Sequence, residues 1–313
     1  MRTEKLGEYI QKCRKAKKLT QEELCAGICD RTTLSRLERG KQTPGRDKLC
    51  ALLHRLGLPG DLVPESEHDA KISALKKDIR ADVIEFEKAD QKTRPRLREQ
   101  AMAKLKQMEK LTEKDDVINQ QYILSTQVTL GKPDGPYTPA QRRKLLEKAI
   151  QMTVPGFRPD KAENFWYRLE ETTLLNKLAR TFSMEGKREE AIDLYSRLLQ
   201  AIEKNGQELE GYPGQFCLIA YNYAINLGLA GRYEEALELA ERGQATCVRH
   251  NQFLHLPGFL AIQAECQFFL GEWEKSADLY IQADYLCKIL KNIRDIEILR
   301  QEMRERLQID PPF

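Results

Sequence analysis

Arg31, Thr32, Thr33, Ser35 and Arg36 stand around Leu34 and Leu37, whose i, i+3 spacing turns both leucines to one side of a helix. The five polar side chains then share the opposite side. An arginine there can give two parallel hydrogen bonds to the edge of one guanine, and a threonine methyl can touch that of thymine. Arg39, Lys41 and Thr43 follow, and Gln21 precedes; these types suit phosphate oxygens, whose contacts fix register without reading sequence. Together they describe the chemistry of a helix laid in the major groove of a duplex.

Such side chains need a frame, and residues 6–58 read as one, a five-helix module. Leu6, Tyr9, Ile10 and Cys13 form the apolar stripe of a first helix over about 5–16. Thr20 with Glu23 three residues on is the signature of a capping box opening the second. Asp30 is a good N-cap for the reading helix, about 31–39, which Gly40 ends. Glu38 would be repelled by phosphates and is expected to pair inside the module, for example with Arg14. Leu49, Leu52, Leu53 and Leu56 form a closing helix. Gly27 is unusual in this position and points to close packing or an early helix end.

The charge agrees. Residues 1–60 hold 14 Lys/Arg against 7 Asp/Glu, although the whole chain of 313 residues is only +3. A basic head on a mildly acidic body is what phosphate contact by one end requires. No apolar run approaches the roughly 20 residues of a membrane helix, and the start lacks a signal-peptide core, so the expected location is cytoplasmic. There is no phosphate-binding glycine loop, zinc-protease motif or nucleophile elbow, and the histidines are scattered. The sequence thus offers no catalytic residues, cofactor or metal site, and no enzyme is expected. The eight cysteines form no C-x-x-C pair and read as reduced core residues; Cys25 and Cys29, at i, i+4, would share a helix face, which leaves a redox or metal role open.

Beyond residue 62 a repeat takes over. Gly186-Lys187-Arg188-Glu189-Glu190-Ala191, Gly231-Arg232-Tyr233-Glu234-Glu235-Ala236 and Gly271-Glu272-Trp273-Glu274-Lys275-Ser276 each follow an apolar helix, at spacings of 45 and 40 residues. This is the turn and second helix of a tetratricopeptide-like unit, lengthened from its usual period of about 34. The pattern predicts an all-α chain in two domains. Residues 1–62 form the helix-turn-helix, and residues 63–313 form about five repeats and a terminal helix, with a linker helix near 63–90. Such repeats stack into a right-handed superhelix with a concave wall. Gln121, Asn176, Arg180, Tyr221, Asn222 and Gln263 fall on that wall when the repeat pattern is laid on the chain. Their amides can pair with an extended peptide backbone, and arginine can hold a carboxylate at two points. Solvated polar residues on ordinary helices are the alternative reading for each, and Tyr221 and Tyr223 are equally compatible with core.

The segment Gly27-Ile28-Cys29-Asp30-Arg31-Thr32-Thr33-Leu34-Ser35-Arg36-Leu37-Glu38 resembles the Xre/Cro-type helix-turn-helix of phage repressors, one residue shorter between helices. The shortened form followed by long repeats resembles the peptide-responsive regulators of the Rap–Rgg–NprR–PlcR–PrgX group. That resemblance implies a cytoplasmic, homodimeric transcription regulator of Gram-positive-type bacteria. A short re-imported peptide would bind the concave wall and reset two reading helices on DNA half-sites about 34–36 Å apart. Two alternatives remain open at this point: an array that binds a partner protein, or one that serves only as a dimerisation scaffold.

Overall fold

The computed structural model describes residues 3–58, 60, 66–132, 135–206, 211–290 and 293–307. They carry fifteen α-helices, in agreement with the all-α expectation. The chain divides into two compact units, one within residues 1–158 and 165–185, the other comprising 159–164, 186–207 and 211–313.

The first unit opens with α1 (Thr3–Ala16), α2 (Gln21–Cys25), α3 (Arg31–Glu38) and α4 (Arg46–Arg55). The helix-turn-helix module therefore has four helices among the described residues where five were expected. The chain around Pro44, between α3 and α4, runs without helix. Leu6, Ile10, Leu24, Ile28, Leu34, Leu37, Leu49, Leu52 and Leu53 make its core. Tyr9, expected in the stripe of α1, lies outside it at 40% exposure. α2 ends at Cys25, so Cys29 falls in the following turn and the two thiols do not share a helix. Burial pushes the Cys29 thiol up to about 12, which makes it a poor nucleophile. All eight cysteines are free.

The module's core does not close on itself. Ile118 belongs to the same cluster, with Val117 and Trp166 packed against it. Ile118 lies in α7 (Val117–Leu130), which follows α5 (Glu67–Lys88) and α6 (Arg94–Leu111). α5 starts from a Ser66/Asp69 capping box and packs along α6 through Ile72, Ile79, Phe86, Leu97, Ala101 and Leu105. α8 (Pro139–Thr153) and α9 (Leu169–Met184) complete the unit.

The second unit holds α10 (Arg188–Gly206), α11 (Tyr212–Leu229), α12 (Tyr233–Arg249), α13 (Leu256–Phe269), α14 (Trp273–Ile289) and α15 (Ile293–Glu302). α15 runs on into a π-helical turn over Met303–Leu307. The repeat reading holds here: Gly231 and Gly271 each lie between paired helices. Ser276, which departs from the small alanine expected, is fully buried and donates from Oγ to the Ala264 carbonyl at 2.7 Å. Its hydroxyl is thus satisfied where an alanine would need no partner. The buried Asp284 forms an ion pair with Lys288 Nζ at 2.6 Å and accepts from Arg300 Nε at 2.9 Å, and the latter bond fixes α15 on α14.

Candidate nucleic-acid interface

Each helix of the motif starts from a cap, Thr20 for α2 and Asp30 for the reading helix α3. Thr20 Oγ1 accepts from the Glu23 amide at 3.1 Å while the Glu23 carboxylate accepts from the Thr20 amide at 2.7 Å. Asp30 accepts from the Thr33 amide at 2.7 Å and from its hydroxyl at 2.8 Å. The amide bond holds the Asp30 carboxyl below its usual range. Thr33 is thereby committed to the cap. Arg31, Thr32, Arg36, Arg39, Lys41 and Thr43 are exposed, and Ser35 is half-buried. Six of the nine residues expected to contact DNA are therefore exposed. Gln21 is not extended into solvent: it donates to Glu38 at 2.9 Å and accepts from Arg31 Nε at 3.5 Å.

Glu38 is 3% exposed and sits where the sequence placed it, against Arg14. The guanidinium grips it at 2.6 and 2.9 Å, and Gln11 and Gln21 add bonds. Burial pushes the Glu38 carboxyl up, but the bonds from Arg14, Gln21 and Gln11 outweigh it and hold the group below its ordinary range. The sign follows. A carboxyl depressed in the folded state contributes stability present above the unfolded value of about 4.3 and lost as pH falls through the folded one. Glu38→Gln is therefore expected to be less stable than the parent at pH 7, with the gap narrowing as pH drops below about 4. Urea midpoints across that range check it; a gap independent of pH would refute the assignment.

The sequence did not reveal how this module is seated. Arg55, at the end of α4, is 6% exposed. It donates to the carbonyls of Leu24 at 3.0 Å and Ala26 at 2.6 Å, which closes the C-terminal end of α2. Its other terminal nitrogen lies 4.0 Å from Glu171 of α9, whose side chain has no exposed surface. Glu171 also accepts from Arg168 at 3.0 and 3.1 Å, and Arg168 reaches Gln121 of α7 at 3.4 Å. Nearby, Asn119 donates to Asp47 of α4, and Lys48 donates to Asp115 at 2.5 Å. The module is thus fastened to α7 and α9 by a buried polar chain as well as by apolar packing. Arg168 and Glu171 stand at i, i+3, but Arg55, Asp47 and Gln121 lie far along the chain from their partners, so no local pattern flags the network.

The candidate peptide contacts are divided between the two units. In the first unit, Gln121 is 2% exposed and donates to the Ala149 carbonyl at 2.8 Å and Thr153 Oγ1 at 2.6 Å. Asn176 is also buried, and Arg180 is exposed. In the second unit, Tyr221 stacks on His255 at 5.3 Å and meets Phe259 edge-on at 5.8 Å. Burial lowers the His255 pKa, so its ring favours the neutral form. Asn222 donates to the Leu218 carbonyl at 2.9 Å, and Gln263 to Gln244 at 2.7 Å. Tyr223 lies against the buried Tyr195 at 6.3 Å.

A cavity of about 450 Å³ opens in the first unit between α4, α5, α7 and α9. Val83, Ile84, Ile118, Leu169 and Leu174 give it apolar walls, and Gln121 lines it too.

Residues 10–63 match the family model described as helix-turn-helix. No curated protein sequence matches the chain. Among solved structures, PlcR of Bacillus thuringiensis in its apo form is 22% identical with a TM-score of 0.59, over 96% of this chain and 99% of PlcR. The same protein in complex with the peptide PapR7 and DNA is 22% identical with a TM-score of 0.56, over 95% and 99%. The apo competence regulator ComR of Streptococcus vestibularis is 14% identical with a TM-score of 0.49, over 98% and 99%. The chain carries a helix-turn-helix domain ahead of helical repeats. Its fold is similar to that of PlcR along almost the whole length of both proteins.

Proposed function

We propose that this protein is a sequence-specific, DNA-binding transcription regulator. Residues 1–62 read the duplex, and residues 63–313 dimerise and sense a short peptide. The observation that carries the reading is the open polar side of α3, with Arg31, Thr32 and Arg36 exposed on a module whose leucines are all turned inward. Arg36 and Thr32 contact base edges; Arg31, Arg39, Lys41 and Thr43 approach phosphates. Ser35 sits at the margin of the groove, while Gln21 and Thr33 hold the reading helix in place. The peptide arm is supported by the fold shared with PlcR, which is known in complex with the peptide PapR7 and DNA. Among the described residues no helix is long and apolar enough to cross a membrane. That agrees with work on DNA in the cytoplasm. Asn176, Arg180, Tyr221, Asn222, Gln121 and Gln263 are the side chains offered for the peptide.

The test is selection of duplexes from a random pool by the full-length chain, followed by titration of Arg36→Ala on the selected site. A guanine contact removed should cost about 1–3 kcal/mol on that site and much less on a scrambled one. Equal losses on both duplexes would make Arg36 a phosphate contact. No selection at physiological salt would overturn the function.

A further inference from the structure

Cys217 of α11 and Cys247 of α12 meet inside the second unit, with their sulfurs 3.5 Å apart. Both side chains are fully buried. The two helices form one repeat, joined through the turn at Gly231. Two thiols at this distance share a hydrogen bond. The bond from Cys217 lowers the Cys247 thiol against the effect of burial, and the same bond raises Cys217. Burial, reinforced by the charges of Glu265 and Glu234, instead pushes the Cys266 thiol of α13 up to about 12. Cys247 is therefore the first of the pair to ionise, and the thiolate is the attacking form.

Cys247 also has a route to water. It lies in the last turn of α12, which ends at Arg249. That turn is closed by the Gln252 amide, which donates to the Cys247 carbonyl at 2.9 Å. Residues 250–254 beyond it are exposed, and Asn251 holds a left-handed φ of +55°. Helix ends open at far lower free energy than helix centres. Fraying of one turn thus uncovers Cys247 while the rest of the repeat stays folded. Gly243, one turn before Cys247, packs against the Phe259 ring so tightly that a Cβ would lie 2.3 Å from it. Tyr221, one turn after Cys217, meets the same ring edge-on at 5.8 Å. The thiol pair therefore sits beside the contacts that set Tyr221 in place.

We propose that Cys217 and Cys247 form a reversible dithiol–disulfide site oxidised by a hydroperoxide. The Cys247 thiolate attacks one peroxide oxygen, and the O–O bond breaks. The leaving oxygen takes up the proton that Cys247 released, and Cys247 becomes a sulfenic acid. The Cys217 sulfur then attacks the Cys247 sulfur; the S–O bond breaks, and water leaves with the Cys217 proton. The two sulfurs lose two electrons in all, and hydrogen peroxide becomes two waters. Exchange with a reducing dithiol restores both thiols. In a reducing compartment such bonds are transient and serve sensing. Bond formation brings the sulfurs from 3.5 Å to about 2.0 Å, which moves α11 on α12 and Tyr221 with it. Tyr221 is one of the side chains offered for the peptide, so the bond gives the repeat wall a second setting. That last step rests on the regulator reading above; the bond itself does not.

Peptide mapping of the full-length chain tests it. Reduced protein is treated with hydrogen peroxide, free thiols are alkylated, and digests are read by mass spectrometry without reductant. The expected product is a Cys217–Cys247 link, two hydrogens lighter than the free pair. It should form before any other cysteine is oxidised and be removed by dithiothreitol. Cys217→Ala should leave the Cys247 sulfenic acid, captured by dimedone. Cys247→Ala should slow oxidation of Cys217 by at least about tenfold, since Cys217 lies inside its helix and burial raises its thiol. Mapping of the parent stands without either variant. The proposal falls if peroxide leaves both thiols free, if the first link joins other cysteines, or if the Cys217–Cys247 link forms only in urea. Hydrogen exchange over residues 218–225 and 256–262 should change on oxidation of the parent. Unchanged exchange leaves the bond standing and overturns the movement of Tyr221.

Discussion

Gly27→Ala is expected to unseat the DNA-reading module from α8 and to cost stability well beyond an ordinary surface change. Two independent penalties coincide at this residue. Its φ is +68°, in the left-handed region, where a side chain costs roughly 1–2 kcal/mol. A Cβ placed there would lie 1.7 Å from the Thr153 carbonyl oxygen. That neighbour is backbone, at the end of a helix, and Thr153 is itself held through its hydroxyl by Gln121 at 2.6 Å. It cannot rotate out of the way as a side chain could, so the module must lift or α8 must fray. Overpacking of this kind adds roughly 1–3 kcal/mol. The expected sum is about 2–5 kcal/mol, read as a lower urea midpoint for the full chain. Hydrogen exchange separates the two penalties. Faster exchange in residues 150–157 together with the module reports unseating, whereas strain alone would leave α8 protected. A variant as stable as the parent, with unchanged exchange, would remove Gly27 from the seam.

That seam marks the boundary between what the sequence disclosed and what it withheld. Features written within a few residues were legible. The Thr20/Glu23 box, the Asp30 cap, the stop at Gly40 and the repeat turns at Gly231 and Gly271 all depend on local backbone hydrogen bonds, which local spacing encodes. Glu38 with Arg14 was also readable, because a carboxylate on a DNA-reading helix has to be neutralised within the module. Gly27 was visible as an oddity, but its cause is a carbonyl more than a hundred residues away in the chain. The Arg55–Glu171–Arg168 chain left no sign at all: arginine and glutamate at helical spacing read the same whether solvated or buried. Gln121 shows the remaining gap. A repeat pattern assigns a residue to a side of its helix without fixing its depth, and this amide spends both its donor bonds inside the protein.

Removing the Glu171 carboxylate should have the largest effect of any single change considered for the buried network. Glu171 has no exposed surface, and its oxygens accept from Arg168 Nε and one terminal nitrogen and from the Arg168 amide at 2.8 Å, with Arg55 at 4.0 Å. Two buried guanidinium groups thus share this carboxylate, and Glu170 is the next negative charge acting on Arg168. Deleting one partner of a buried pair costs roughly 3–5 kcal/mol, most of it the penalty of stranding the other charge. Glu171→Gln keeps the shape and loses the charge, so it isolates that penalty from packing. The consequence extends to the reading helix. Arg55 is the residue that ties the carbonyls ending α2 to α4, and a guanidinium drawn toward solvent would release them. Expected results are therefore a urea midpoint lowered by that amount and weaker binding to the selected duplex, although Glu171 itself lies on α9. The double variant Arg168→Met with Glu171→Leu should recover much of the stability, because no charge is then stranded at that pair. A coupling energy near zero between positions 168 and 171 would show that water reaches these groups, and that apolar packing alone seats the module.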